Sequence, residues 1–153
     1  MRLRNNPRAY DIMNENKDFV VIEPESFKNN WKSVFENDNP IYIEIGMGKG
    51  DFIYENARLN PDINYIGIEK YPSVLAAAIN KINLQEDKVS NLRLMRYDAI
   101  ELNNVFEKNE VDKIFLNFSD PWPKSRHAKR RLTSRKFLDV YRQILVDQGV
   151  IEF

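Results

Sequence analysis

Ile41-Tyr42-Ile43-Glu44-Ile45-Gly46-Met47-Gly48-Lys49-Gly50-Asp51 is the stretch whose reading decides the fold. Its first five residues are a short β-branched and aromatic run, the pattern of a buried strand. Glycine at every second position then ends the strand. A helix is expected over 51–59, stopped by Asn60-Pro61. The same alternation continues outward. Strands are expected at 63–68, 92–97 and 111–118, and helices at 72–84 (opened by Pro72) and 99–106. Thr133 or Ser134 can cap a further helix with Phe137, Leu138, Tyr141, Ile144 and Leu145 on one stripe. Gly149 is expected to stop that helix, and 150–153 to begin a fifth strand. Upstream, Phe27, Trp31, Val34 and Phe35 suit one face of a short helix, and Asn37-Asp38-Asn39-Pro40 is a turn. Residues 1–22 have no clear period and read as a basic N-terminal arm, leaving 23–153 as the domain. The resulting class is α/β: a Rossmann-like, doubly wound, mainly parallel sheet with helices on both faces. The chain ends on a strand, which reads as a sheet missing its last strands.

Charge narrows the partners. The 153 residues carry 23 basic and 23 acidic side chains, a net charge of zero. The zero is a sum of opposites. Between 121 and 136 lie Lys124, Arg126, Lys129, Arg130, Arg131, Arg135 and Lys136 with no Asp or Glu, so the rest of the chain is net acidic. A concentrated basic segment attracts phosphate backbones even on a neutral protein; a solvated helix face is the plainer alternative. No Cys and a single His exclude disulfides, thiolate metal sites and a cysteine nucleophile, and no metal centre is expected. The basic start lacks an apolar core for a signal peptide, and no stretch is long enough to span a bilayer, so a cytoplasmic protein is expected.

In doubly wound sheets ligands bind beyond the carboxyl ends of the strands. Here those positions hold Glu44 with Gly46, Gly48 and Gly50, then Glu69, Asp98 and Asp120. The glycines match neither a dinucleotide fingerprint nor a P-loop, and alone they read equally well as a tight turn. Glu69, about 20 residues further on, is where a carboxylate can accept both ribose hydroxyls, and Asp98 can reach an adenine edge. Four carboxylates on one edge suit a cationic, phosphate-free ligand such as S-adenosylmethionine better than a pyrophosphate. Lys49 is the one nearby counter-charge, facing either solvent or the methionyl carboxylate.

Asn117-Phe118-Ser119-Asp120-Pro121-Trp122-Pro123-Lys124 is the most specific stretch. Two prolines restrict it, and the basic run follows directly, setting a nucleic-acid patch against the expected chemical centre. Together with Ile43–Phe52, Asn64–Glu69, Tyr97-Asp98-Ala99 and Leu116–Leu132, it resembles the bacterial tRNA (guanine-N7)-methyltransferases, and the similarity runs through essentially the whole chain. The resemblance implies the class I methyltransferase fold and transfer of a methyl group from S-adenosylmethionine to a tRNA guanosine, at position 46 of the variable loop. It implies that Glu44, Glu69, Asp98 and Asp120 line the cofactor pocket beside Gly46 and Gly48, and that Asp120 is catalytic. It further implies that Lys124 contacts substrate and that Arg126, Lys129, Arg130 and Arg131 contact RNA; His127 reads equally as an RNA contact or a solvated side chain. The alternatives are a non-catalytic RNA- or partner-binding module and a methyltransferase for another substrate.

Overall fold

The computed structural model describes residues 5–117 and 125–153, apart from the side chains of Ser125 and His127. In chain order the elements are α1 (Ala9–Asn14), a 3-10 turn (Pro24–Phe27), α2 (Trp31–Phe35), β1 (Ile41–Ile45), α3 (Asp51–Leu59) and β2 (Asn64–Glu69). There follow α4 (Pro72–Asn83), β3 (Leu92–Arg96), a 3-10 segment (Ala99–Asn104), β4 (Val111–Phe115), a 3-10 segment (Ser125–Arg130), α5 (Arg135–Ile144) and β5 (Leu145–Glu152). The strands form one sheet in the order β3-β2-β1-β4-β5, and every pairing is parallel. The order reverses at β1, so the crevice between β1 and β4 is the topological switch point.

Side chains alternate between two cores, as strand geometry demands. Ile43, Ile45, Ile66, Ile68 and Met95 join Trp31 and the α5 residues Phe137, Tyr141 and Ile144 on one face. Tyr65, Leu92 and Leu94 join Met13, Ile53, Tyr54, Leu75 and Ile79 on the other. The amino end of the sheet is fastened by amides. Asn91 Nδ2 donates to the carbonyls of Ala57, Asn60 and Ile63 at 3.0, 3.0 and 2.8 Å. Asn64 Nδ2 donates to Asn37 Oδ1 at 2.7 Å.

Several expectations change. The segment read as an arm is docked from residue 5 onward. Ala9 and Met13 are buried, Val20 makes a parallel bridge to Leu94, and the Asn6 amide donates to Ser73 Oγ at 2.8 Å. The single helix expected around Phe27 and Trp31 is two pieces, because Asn29 takes a φ of 62°. Glu110 holds that break, accepting from the amides of Asn29 and Trp31. Gly149 does not end α5. The helix stops at Ile144, and Gly149 lies inside β5, where the register against β4 shifts between Val111 and Lys113. Ser134 does sit at the N-cap of α5, but its hydroxyl donates to the Lys129 carbonyl instead of capping.

Candidate active site at the carboxyl edge of the sheet

After β1 the chain turns through Gly46, Gly48 and Gly50 with φ of 73°, 60° and 83°, left-handed values that favour glycine. The amides of Gly46 and Met47 donate to the Ile68 carbonyl, which locks the turn onto β2. The turn packs down there because β2 carries Gly67: a Cβ at Gly67 would collide with Met47 Sδ. A Cβ at Gly48, by contrast, would meet nothing within 4 Å, so the turn leaves open space on its outer side. Glu69, at the end of β2, is buried. Its two oxygens accept from the Gly48 amide at 3.1 Å and the Tyr71 amide at 3.0 Å. One carboxylate thus ties the glycine turn to the start of α4.

Glu44 is 1% exposed. Its Oε2 accepts from Asn117 Nδ2, just beyond β4, at 3.3 Å. Its Oε1 is buried and has no hydrogen-bond partner among the described residues. Burial pushes the Glu44 carboxyl up to about 8; the Asn117 hydrogen bond opposes the rise, and the Glu69 charge adds to it. Asp98 follows β3. Its Oδ1 accepts from the Ile100 amide at 3.3 Å, and its Oδ2 lies 3.6 Å from Lys70 Nζ. Lys49 is therefore not the only cation at this edge.

The structure brings together Glu44, Gly46, Gly48, Glu69 and Asp98 along the ends of β1, β2 and β3. Asp120 and Lys124 lie outside the described residues, as does the His127 side chain. Arg126, Lys129 and Arg130 are exposed, and Arg131 is half-buried. The basic segment is carried to the same edge by Leu132, whose Cδ1 would lie 3.7 Å from a Cβ on Gly46. The Tyr141 hydroxyl of α5 donates to the Leu132 carbonyl at 2.9 Å and fixes that approach. Sequence reasoning missed Gly67, Lys70 and the particular role of Asn117. A glycine inside an otherwise β-branched strand was the available signal for the first. Among the described residues no group of His, Cys, Asp and Glu could hold a metal ion, and no helix is long and apolar enough to cross a membrane.

A parallel sheet ordered 3-2-1-4-5, a glycine turn at its switch point and a carboxylate ending the next strand define the class I type of methyltransferase domain. Solved structures share the fold. An antibiotic-related methyltransferase aligns with a TM-score of 0.59 at 22% identity, over 77% of this chain and 58% of that one. The aminoglycoside resistance methyltransferase NpmB1 aligns with a TM-score of 0.59 at 20% identity, over 80% of this chain and 60% of that one. A family model described as "Putative methyltransferase" matches residues 38–153. The tRNA (guanine-N(7)-)-methyltransferase of Lysinibacillus sphaericus is 53% identical over all 153 residues, which span 70% of its length. The protein of that name from Lachnoclostridium phytofermentans is 55% identical over the same 153 residues, again 70% of its length. The chain belongs to the tRNA (guanine-N(7)-)-methyltransferase family.

Proposed function

We propose that this chain takes part in transferring a methyl group from S-adenosylmethionine to N7 of a guanosine in tRNA. The observation that carries the reading is the buried, unpartnered Oε1 of Glu44 beside the glycine turn that Glu69 holds, in a chain of this family. The residues fit the cofactor. A cationic ligand suits an acidic edge, the open space outside Gly48 admits it close to the backbone, and Glu69 stands where a ribose would end. When bound, S-adenosylmethionine supplies an electrophilic methyl group on a sulfonium.

The protein's own part is mostly positioning. Guanine N7 carries an in-plane lone pair and no proton, so no general base is needed, and an in-line approach is the main requirement. Asp120 follows β4 in the sequence. Its role is to accept hydrogen bonds from the guanine and favour the positive charge that the base acquires. Arg126, Lys129, Arg130 and Arg131, with Lys124, hold phosphates, and His127 sits among them. A tRNA substrate puts the working compartment in the cytoplasm.

The test is incubation with S-adenosylmethionine and an unmodified tRNA transcript, followed by nucleoside mass spectrometry. N7-methylguanosine in the native reaction and its loss in Asp120→Ala support the reading. A methylated nucleoside other than N7-methylguanosine, or an undiminished yield from Asp120→Ala, contradicts it.

A further inference from the structure

Glu44 is an expensive residue to keep for packing. A carboxyl group held at 1% exposure with one oxygen unpartnered destabilises the fold. Its neighbours on β1, Ile43 and Ile45, show that the strand is otherwise apolar. Among the described residues the side chain hydrogen-bonded to it is Asn117, at 3.3 Å. Asn117 is also the last described residue before 118–124, the segment carrying Asp120. One hydrogen bond therefore joins the strand that bears the glycine turn to the strand that bears the substrate loop, across the switch point.

Among the described residues the charged groups around Glu44 are few. Glu69 faces it from β2. On β4, Lys113 is turned away: it pairs with Glu152 at 3.4 Å and lies over the Tyr42 and Phe115 rings. Beyond the glycine turn, Asp51 of α3 is paired with Lys81 at 2.6 Å. Asp98 is paired with Lys70, at the far side of β2. No described cation is paired with Glu44, and the described charge that acts on it is another carboxylate, Glu69. Burial and that neighbour both favour the neutral acid; an arriving cation favours the carboxylate.

We propose that Asn117 is a positioning residue that orients the Glu44 carboxyl, and that Glu44 surrenders its proton to solvent when the cationic cofactor binds. The Glu44 O–H bond breaks, the electron pair stays on the carboxylate, and the proton passes to the buffer. This rests on the cofactor reading above. Asn117 is then more than a strand-end residue: it sets how readily Glu44 ionises.

The experiment is isothermal titration with S-adenosylmethionine in buffers of different ionisation enthalpy, at pH 7 and pH 8.5. It compares the native chain with E44Q, N117S and N117L. Buffer dependence yields the number of protons released. The E44Q value contains only what the cofactor's own amine contributes, so it is subtracted from the others. At pH 7 the native chain releases about one proton more than E44Q. At pH 8.5 that difference falls well below one in the native chain and climbs back toward one in N117S and N117L, because loss of the Asn117 donor favours the acid. Affinity falls about tenfold at pH 7 in the Asn117 variants and only about threefold at pH 8.5, where the native carboxyl is already mostly ionised. A merely structural Asn117 would weaken binding equally at both pH values and leave the proton count where it was, and that result overturns its assigned role. An equal count in the native chain and E44Q at pH 7 overturns the proton release. If an Asn117 variant does not fold, the native chain and isosteric E44Q still decide the proton release. No binding by the native chain at either pH fails the cofactor reading itself; binding without proton release fails only this inference.

Discussion

At the amino end of the sheet the polar side chains are mostly amides, spent chiefly on backbone. Asn91 donates to three carbonyls, Asn64 to Asn37 and Asn39, and Asp112 accepts the first amide of β1 at 2.8 Å. At the carboxyl end they are carboxylates, and their acceptors are not all used. Glu44 keeps an unpartnered buried oxygen, and the pairing of Asp98 with Lys70 leaves both groups partly exposed. The separation is not perfect, since Asn64 Oδ1 is also unpartnered. A neutral amide oxygen is much cheaper to strand than a carboxylate, however. The same five strands thus carry a structural end and a costly end, and the cost marks the site.

Changing Glu44 should give the largest separation between stability and binding. A carboxyl held near 8, against the lower ordinary glutamate range, contributes stability fully at acid pH and loses it as pH rises through about 8. Urea unfolding should therefore show the native chain weakening between pH 5 and 9. E44Q should flatten that slope and gain on the order of 2–4 kcal/mol at pH 8.5 while losing cofactor affinity. A parallel pH profile for E44Q would erase the distinction between the two ends.

Asn91→Ala attacks the structural end. It leaves three carbonyls short of a donor and should cost about 2 kcal/mol in urea unfolding. Cofactor affinity of the folded protein should be unchanged; a weakened affinity would mean that the two ends are coupled.

Gly67→Ala pushes a methyl group against Met47 Sδ and Leu94 Cδ2. Overpacking there should cost about 1–2 kcal/mol and, because Met47 belongs to the glycine turn, weaken cofactor binding severalfold. Calorimetric titration beside an unfolding curve separates the two effects.

Lys70→Ala removes a partly exposed pair and should change stability by less than about 0.5 kcal/mol. A larger loss would show that the Asp98 end is more tightly built than its exposure implies.

Much of the fold was legible because its signals are local. The β1 strand and the α3 helix fall where an apolar run, three glycines and Asn60-Pro61 place them. The misses share a distant cause. The break at Asn29 depends on Glu110, far along the chain. Helix α1 buries only Ala9 and Met13, too few to give a period, and its docking needs Ser73. Gly149 looks like a helix stop, but β4 draws 145–152 into a bulged strand. In the site, the residue types at the strand ends were readable, while their partners were not. That Glu69 holds the Gly48 and Tyr71 amides, and that Glu44 meets Asn117, follows only from the order of strands in space.

Equilibrium binding of S-adenosylmethionine to the native chain and to E69Q tests whether the carboxyl edge holds the cofactor through Glu69 and the turn it organises. Glutamine keeps the shape but turns an amide nitrogen toward either the Gly48 or the Tyr71 N–H, so the turn loses one of its two anchors. Saturable one-to-one binding by the native chain and at least about thirtyfold weaker binding by E69Q, with the fold retained, are expected. Equal affinity of the two proteins, or no binding by the native chain, would contradict it.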